Sequence, residues 1–261
     1  MPAPLELADI AADLLARLRA RAPRVHCITN SVAQAYTANV LLAAGAVPSM
    51  TIAPGEIGAF VAGADALLVN LGTFDQERKS AIEAALAAAR DKNLPWLLDP
   101  VFIERSPPRA QFARDLVGRA PAVVRLNAAE FASLAGFASL AGEDAEGDAA
   151  LRYAKTHGTI VALTGAVDRV SDGARWMRIA NGDPLMGLVT AMGCAGSALV
   201  AAALSVEADA FLATVAALAA FGVAGELAAQ GARGPGSFAS AIIDALYNLS
   251  RADLRARMRV S

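Results

Sequence analysis

The segment Val189-Thr190-Ala191-Met192-Gly193-Cys194-Ala195-Gly196-Ser197-Ala198-Leu199 sets a run of small residues directly before a long apolar helix pattern. Such a turn leaves backbone N–H groups open to close approach, and the positive end of the following helix faces whatever anion arrives. The chemistry it suits is phosphate binding, with the Cys194 thiol placed where a transferred group would arrive. A tight turn that only packs closely has the same composition, so other segments must separate the two readings.

Polar or soft side chains recur where apolar runs end. Asn30, Met50, Asn70, Asp99, Arg125 and Thr164 each fall at or just past the carboxyl end of an expected strand, and open α/β sheets bind ligands along that rim. Turn chemistry accounts for part of any such set, because loops are polar. Asp99 is the least easily explained that way: Pro100 holds it extended, and its carboxylate projects towards the rim after an apolar strand. Glu130 lies in the first turn of a helix expected to start near Asn127, where the helix dipole alone favours an acidic residue.

Two nucleotide-binding motifs are excluded. A P-loop needs a Gly-rich turn ending in Lys-Ser/Thr, and the lysines are Lys79, Lys92 and Lys155, all in or beside helical patterns. A dinucleotide fingerprint needs Gly-x-Gly-x-x-Gly after the first strand, where the chain reads Ser31-Val32-Ala33-Gln34-Ala35-Tyr36. Phosphate binding by the turn at 190–194 remains, with Mg²⁺ neutralising charge through carboxylates. Phosphoryl transfer asks chiefly for position and charge stabilisation.

The elements that must position these residues alternate along the chain. Short apolar, β-rich runs at 25–28, 47–51, 66–70, 96–99, 122–126 and 159–163 are separated by helical patterns, the clearest at 76–90. This spacing predicts a mostly parallel sheet. The runs lack period-two alternation, as expected of strands covered by helices on both faces, so the fold class is a three-layer α/β sandwich. Residues 166–171 and 174–180 flank Asp172-Gly173, a type I′ hairpin signal that predicts a terminal antiparallel pair. The last third reads as helical.

Composition bounds the rest. At 261 residues with 56% hydrophobic content, the chain is expected to form a single domain over 1–261 around one large core. A net charge of −2 leaves no basic footprint for nucleic acid. Cys27 and Cys194 have no zinc-like spacing and suit a reducing cytoplasm. Glu6, Asp9 and Asp13 interrupt the leucines of the N-terminal segment, unlike a signal peptide. Between Ala195 and Leu218 only Glu207 and Asp209 are charged; the run before them is too short for a bilayer, so two buried helices and no membrane span are expected.

In order along the chain, His26-Cys27-Ile28-Thr29-Asn30, Thr37-Ala38-Asn39, Asn70-Leu71-Gly72-Thr73, Leu98-Asp99-Pro100-Val101, Asn127-Ala128-Ala129-Glu130, Leu163-Thr164-Gly165 and Gly234-Pro235-Gly236-Ser237-Phe238 join the 190–194 turn. Together they resemble hydroxyethylthiazole kinase, the thiamine-salvage member of the ribokinase-like group, over roughly residues 20–250. The resemblance implies transfer of the ATP γ-phosphoryl group to the hydroxyl of 4-methyl-5-(2-hydroxyethyl)thiazole, with Mg²⁺ as cofactor. It implies that Asp99 and Glu130 lie at the metal, that Arg125, Thr164 and Gly193 contact the nucleotide, and that Asn30, Met50 and Ala191 meet the thiazole. Cys194 takes the position where related sugar kinases carry an Asp base. A homotrimer with sites shared between subunits is also implied.

Each residue has a plainer use: turn capping for Asn30 and Thr164, core packing for Met50, a strand-end surface residue for Arg125, a small buried thiol for Cys194. The chain also departs from the family pattern. It has Ala191-Met192 where relatives have Gly-Thr or Gly-Ala, Phe102-Ile103-Glu104-Arg105 in place of a Gly-rich segment, and Arg125-Leu126-Asn127 in place of Arg-Gly-Asn. Two consequences are expected. The Cys194 thiol, at a helix N-terminus, should ionise more easily than usual, and Ala191→Gly should cost about 0.5–1 kcal/mol through greater unfolded-chain freedom. Two alternatives stand beside the thiazole kinase: a kinase for another small vitamin-precursor alcohol, and a non-catalytic thiazole or nucleotide sensor. A sensor needs neither metal nor base, so Asp99, Glu130 and Cys194 weigh against it.

Overall fold

A computed structural model describes residues 3–137 and 143–261. The apolar runs become β1 (Arg24–Ile28), β2 (Val47–Ser49), β3 (Ala66–Asn70), β4 (Trp96–Asp99), β5 (Val123–Asn127) and β6 (Ile160–Thr164), followed by β7 (Asp168–Ser171) and β8 (Trp176–Ile179). They pair into one sheet in the order β2-β1-β3-β4-β5-β6-β7-β8. Pairing is parallel from β2 to β6 and antiparallel at β6–β7 and β7–β8.

Successive strand residues point to opposite sides, and each side has its own apolar cluster. In β3, Ala66 and Leu68 face one cluster while Leu67 and Val69 face the other. The first side is covered by α1 (Pro4–Arg21) and α2 (Gln34–Ala44). The second is covered by α3 (Ile57–Ala62), α4 (Gln76–Asp91), α5 (Pro107–Val117), α6 (Ala128–Ala135) and α7 (Glu143–His157). The chain then returns to the first side with α8 (Met192–Leu204), α9 (Ala210–Ala229), α10 (Pro235–Asn248) and α11 (Arg251–Arg257). Strands buried on both faces need no polar alternation, which is why they read as continuous apolar runs.

The two alanine-rich stretches are the helices α8 and α9, both mostly buried. α9 is long and apolar enough to cross a membrane by length and composition, but most of that stretch lies inside the fold. Alanine side chains let α8 approach α9, α2 and the sheet closely.

Two local readings are corrected. A type I′ turn needs positive φ at both central residues, and only Gly173 of the Asp172-Gly173 pair has it (φ 88°). Asp172 instead uses its carboxylate to accept from the Ala174 and Arg175 backbone N–H groups at 2.8 and 2.6 Å. Arg125 lies in the middle of β5, two residues short of its end at Asn127.

Candidate active site

Parallel register brings the ends of β3 and β4 level, with Asn70 beside Asp99. Asn70 Nδ2 donates to Asp99 Oδ2 at 2.7 Å. The N-terminus of α8 closes over this pair. Ser197 Oγ donates to the same Asp99 oxygen at 2.8 Å, and Cys194 Sγ accepts from Asn70 Nδ2 at 3.3 Å and from Asn30 Nδ2 at 3.2 Å. Cys194 and Ser197 are three residues apart on one helix, so both reach the same rim.

Asn30 fits only because Gly72 lies against it. A β-carbon at Gly72 would sit 2.6 Å from Asn30 Nδ2, inside contact distance, so the Asn70-Leu71-Gly72-Thr73 motif has a packing reason. The Gly72 N–H in turn donates to Asn70 Oδ1 at 3.0 Å. The Asn30 Oδ1 atom is a buried acceptor without a partner among the described residues.

Arg125 is drawn into the same assembly from β5. Its Nη1 donates to the Gly193 carbonyl at 2.8 Å and to Ser197 Oγ at 3.1 Å. It thus anchors the first turn of α8 rather than ending a strand at the surface.

Glu130 performs the first-turn role in full. Asn127 caps α6 and accepts from the Glu130 N–H at 2.9 Å, and Glu130 Oε2 accepts from the Asn127 N–H at 2.8 Å. Its second oxygen accepts from the Phe102 N–H at 2.8 Å, tying down the chain that follows Asp99. Phe102 has φ 56°, a left-handed conformation that glycine adopts without strain.

Burial dominates the electrostatics. It pushes the Asp99 carboxyl up, against the Arg125 charge and the hydrogen bonds from Ser197 and Asn70. Burial also raises Glu130, and the charge of Asp99 adds to it. The Cys194 thiol is pushed up to about 11 by burial and then by Asp99. The easy ionisation expected of a thiol at a helix N-terminus is therefore overturned, because desolvation outweighs the two amide donors and Arg125.

Beside this network a cleft of about 550 Å³ opens between Arg125, Thr164, Asp168, Met186, Gly193 and Phe221. Thr164 Oγ1 donates to the Leu126 carbonyl at 3.4 Å, and Asp168 accepts from the Gly165 N–H at 2.9 Å. A larger cleft of about 680 Å³ lies at the amino ends of β4 and β5 and includes none of the rim residues.

Most of the residues expected at the site come together here: Asn30, Asp99, Arg125, Gly193 and Cys194 by hydrogen bonds, Glu130 through the charge of Asp99, and Thr164 in the cleft. Ala191 caps α8 at φ 71°. Met50 stands apart. It lies one residue past β2, half-buried against the cluster that also holds α8. Sequence reasoning missed Ser197 and Asp168, although the three-residue step from Cys194 was a legible signal for Ser197. Among the described residues no group of three or more His, Cys, Asp or Glu side chains gathers as a metal cage.

The sequence model of the hydroxyethylthiazole kinase family matches residues 15–252. The chain belongs to that family. It is 48% identical over 257 residues to a hydroxyethylthiazole kinase of Rhizobium etli, spanning 95% of this chain and 99% of that protein. It is 47% identical over 242 residues to one of Clavibacter sepedonicus, spanning 90% and 88%. Among solved structures, hydroxyethylthiazole kinase from Pyrococcus horikoshii OT3 superposes with a TM-score of 0.92 at 36% identity, covering 97% of this chain and 98% of that one. A Bacillus subtilis pyridoxal kinase in complex with ADP superposes at a TM-score of 0.59 with 21% identity, over 74% and 88%, which shows a common ribokinase-like fold.

Proposed function

We propose that this chain transfers the γ-phosphoryl group of ATP to the primary hydroxyl of 4-methyl-5-(2-hydroxyethyl)thiazole, a step of thiamine salvage. The observation that carries this reading is the network in which Asn30, Asn70 and Asp99 meet Cys194 under the N-terminus of α8, next to the cleft holding Arg125 and Thr164. Asn30, Met50 and Ala191 hold the thiazole; Arg125, Thr164 and Gly193 hold the nucleotide.

In the transfer, the alcohol oxygen bonds to the γ-phosphorus, the bond to the ADP oxygen breaks, and the hydroxyl proton leaves. Cys194 stays a thiol at neutral pH, so its sulfur orients the hydroxyl, and the hydroxyl proton passes late to an oxygen of the transferred phosphoryl group. That order suits a loose transition state, in which little charge builds on the attacking oxygen before the new bond forms. The first-turn N–H groups of α8 meet the phosphoryl oxygens.

Asp99 and Glu130 fit a hard divalent cation, because both are buried and the charge of one raises the other, a repulsion that a cation relieves. Mg²⁺ held there through one or two carboxylates would neutralise charge on the phosphates. We read the chain as one cytoplasmic domain that assembles as a homotrimer with shared sites. Two buried free thiols and the exposed Val47 and Phe60 around Ser49 support that reading.

The test is mass spectrometry of products after incubation with Mg²⁺-ATP and a panel of vitamin-precursor alcohols. A phosphate ester of the thiazole alcohol is expected. Turnover of another alcohol without that ester would overturn the substrate assignment, and no ester from any alcohol would favour the sensor. Light scattering checks the assembly: a fully active monomer contradicts the shared site.

A further inference from the structure

We propose that His26 is a positioning residue that sets Met50 by holding the chain on both sides of it. The inference rests on the reading that Met50 meets the thiazole, and it explains how a residue outside the hydrogen-bonded network is kept in place.

His26 lies in β1 and is fully buried. Its Nδ1 is 2.8 Å from Ser49 Oγ and its Nε2 is 3.0 Å from the Thr51 carbonyl oxygen. A carbonyl only accepts, so Nε2 carries the proton, and Nδ1 accepts from the Ser49 hydroxyl. One neutral tautomer satisfies both contacts, and burial favours the uncharged ring.

The β1–β2 ladder ends at the pair His26–Ser49, and residues 50–53 belong to no strand or helix. The imidazole therefore extends the hold on the chain two residues past the ladder. Thr51 is tied further by its hydroxyl, which donates to Glu56 and accepts from the Ala53 N–H.

The direction also fits. His26 is level with Leu67, which faces the second-side cluster, whereas Met50 packs against the first-side cluster that contains Met192 and Ala195 of α8. Holding residues 49 and 51 from one face leaves residue 50 to project to the other, the face that carries Cys194.

The test combines ¹³C-methyl methionine spectra with steady-state kinetics. In His26→Leu, the Met50 methyl signal, identified by its loss in Met50→Ala, should move to a mobile position while the other methionine signals hold. The KM for the alcohol should rise about tenfold, with kcat and the KM for ATP within about twofold. His26→Gln, whose amide can still donate to Thr51, should restore most of the affinity. In a Met50→Ala background, His26→Leu should add little, because the two changes remove one interaction.

An unmoved Met50 signal in folded His26→Leu, equal rises in both KM values, or a full effect without Met50 would each overturn the proposal. If His26→Leu does not fold, Ser49→Ala removes one of the two holds from outside the core. It should raise the alcohol KM about threefold, and no change would overturn the clamp. Should the wild type form no ester from this alcohol, the functional reading fails, while the methyl spectrum still decides whether His26 sets Met50.

Discussion

On the proposed acceptor side of the rim, the polar groups are buried side chains tied to one another: Asn30, Asn70, Asp99, Cys194 and Ser197. On the proposed nucleotide side, the cleft is lined by glycines and alanine, by Met186, Met192, Leu218 and Phe221, and by polar residues that include Arg125, Thr164 and Asp168. A buried side-chain network is sensitive to single changes, because each removal leaves a desolvated neighbour without its partner. A cleft lined by many residues, six of them Gly or Ala, spreads its binding, so one side chain decides less. Arg125 belongs to both sides, since it lines the cleft and holds Gly193 and Ser197.

The largest expected effect falls on the acceptor side. Cys194→Ala should lower kcat by about a hundredfold, the scale of losing a group that orients the attacking hydroxyl, and leave the KM for ATP unchanged. Cys194→Asp should retain activity, because a carboxylate can take the proton. An alanine variant as fast as wild type would remove the sulfur from the mechanism and break the contrast between the two sides.

Next comes the metal region. Asp99→Asn and Glu130→Gln should each lower kcat at least about tenfold, or about 1.4 kcal/mol of transition-state stabilisation, with folding retained. Glu130→Gln should also lower the melting temperature, because both carboxylate oxygens hold backbone N–H groups. Wild-type rates in both variants at limiting Mg²⁺ would exclude the pair.

Ala191 stands where the two sides meet, and the structure reverses the stability effect expected of it. At φ 71° an alanine is strained and a glycine is not, so Ala191→Gly should stabilise the fold by about 1 kcal/mol rather than weaken it. The melting temperature should rise by roughly 2–4 °C. A fall would show that unfolded-chain freedom outweighs the relief. Kinetics of the same variant report on crowding: a lower KM for the alcohol or a higher kcat is expected.

The smallest change sharpens the comparison. Thr164→Val removes a single long hydrogen bond from the cleft wall, so the KM for ATP should rise no more than about threefold, near 0.7 kcal/mol. A tenfold rise would show that this side, too, depends on individual side chains.

Both positive-φ positions at the rim, Phe102 and Ala191, fall in segments where the family resemblance leads one to expect glycine. The departure from pattern was legible in the sequence. Its consequence was not, because a residue type does not state the dihedral angle that its neighbours impose on it. The type I′ reading of Asp172-Gly173 failed for the same reason: side-chain acceptance by Asp172 stabilises another backbone path.

The sequence by itself determined the alternation of strand and helix, the burial of the strands on both faces, and the placing of Asn70, Asp99 and Thr164 along one rim. Those features rest on local periodicity and on where apolar runs stop, which short windows contain. Only the tertiary structure decided that Cys194 resists ionisation, that Arg125 turns towards α8, that His26 binds the residues on either side of Met50, and that Ser197 meets Asp99 across 98 positions. Desolvation and hydrogen-bond partners depend on which elements pack together, and those elements are distant in the chain.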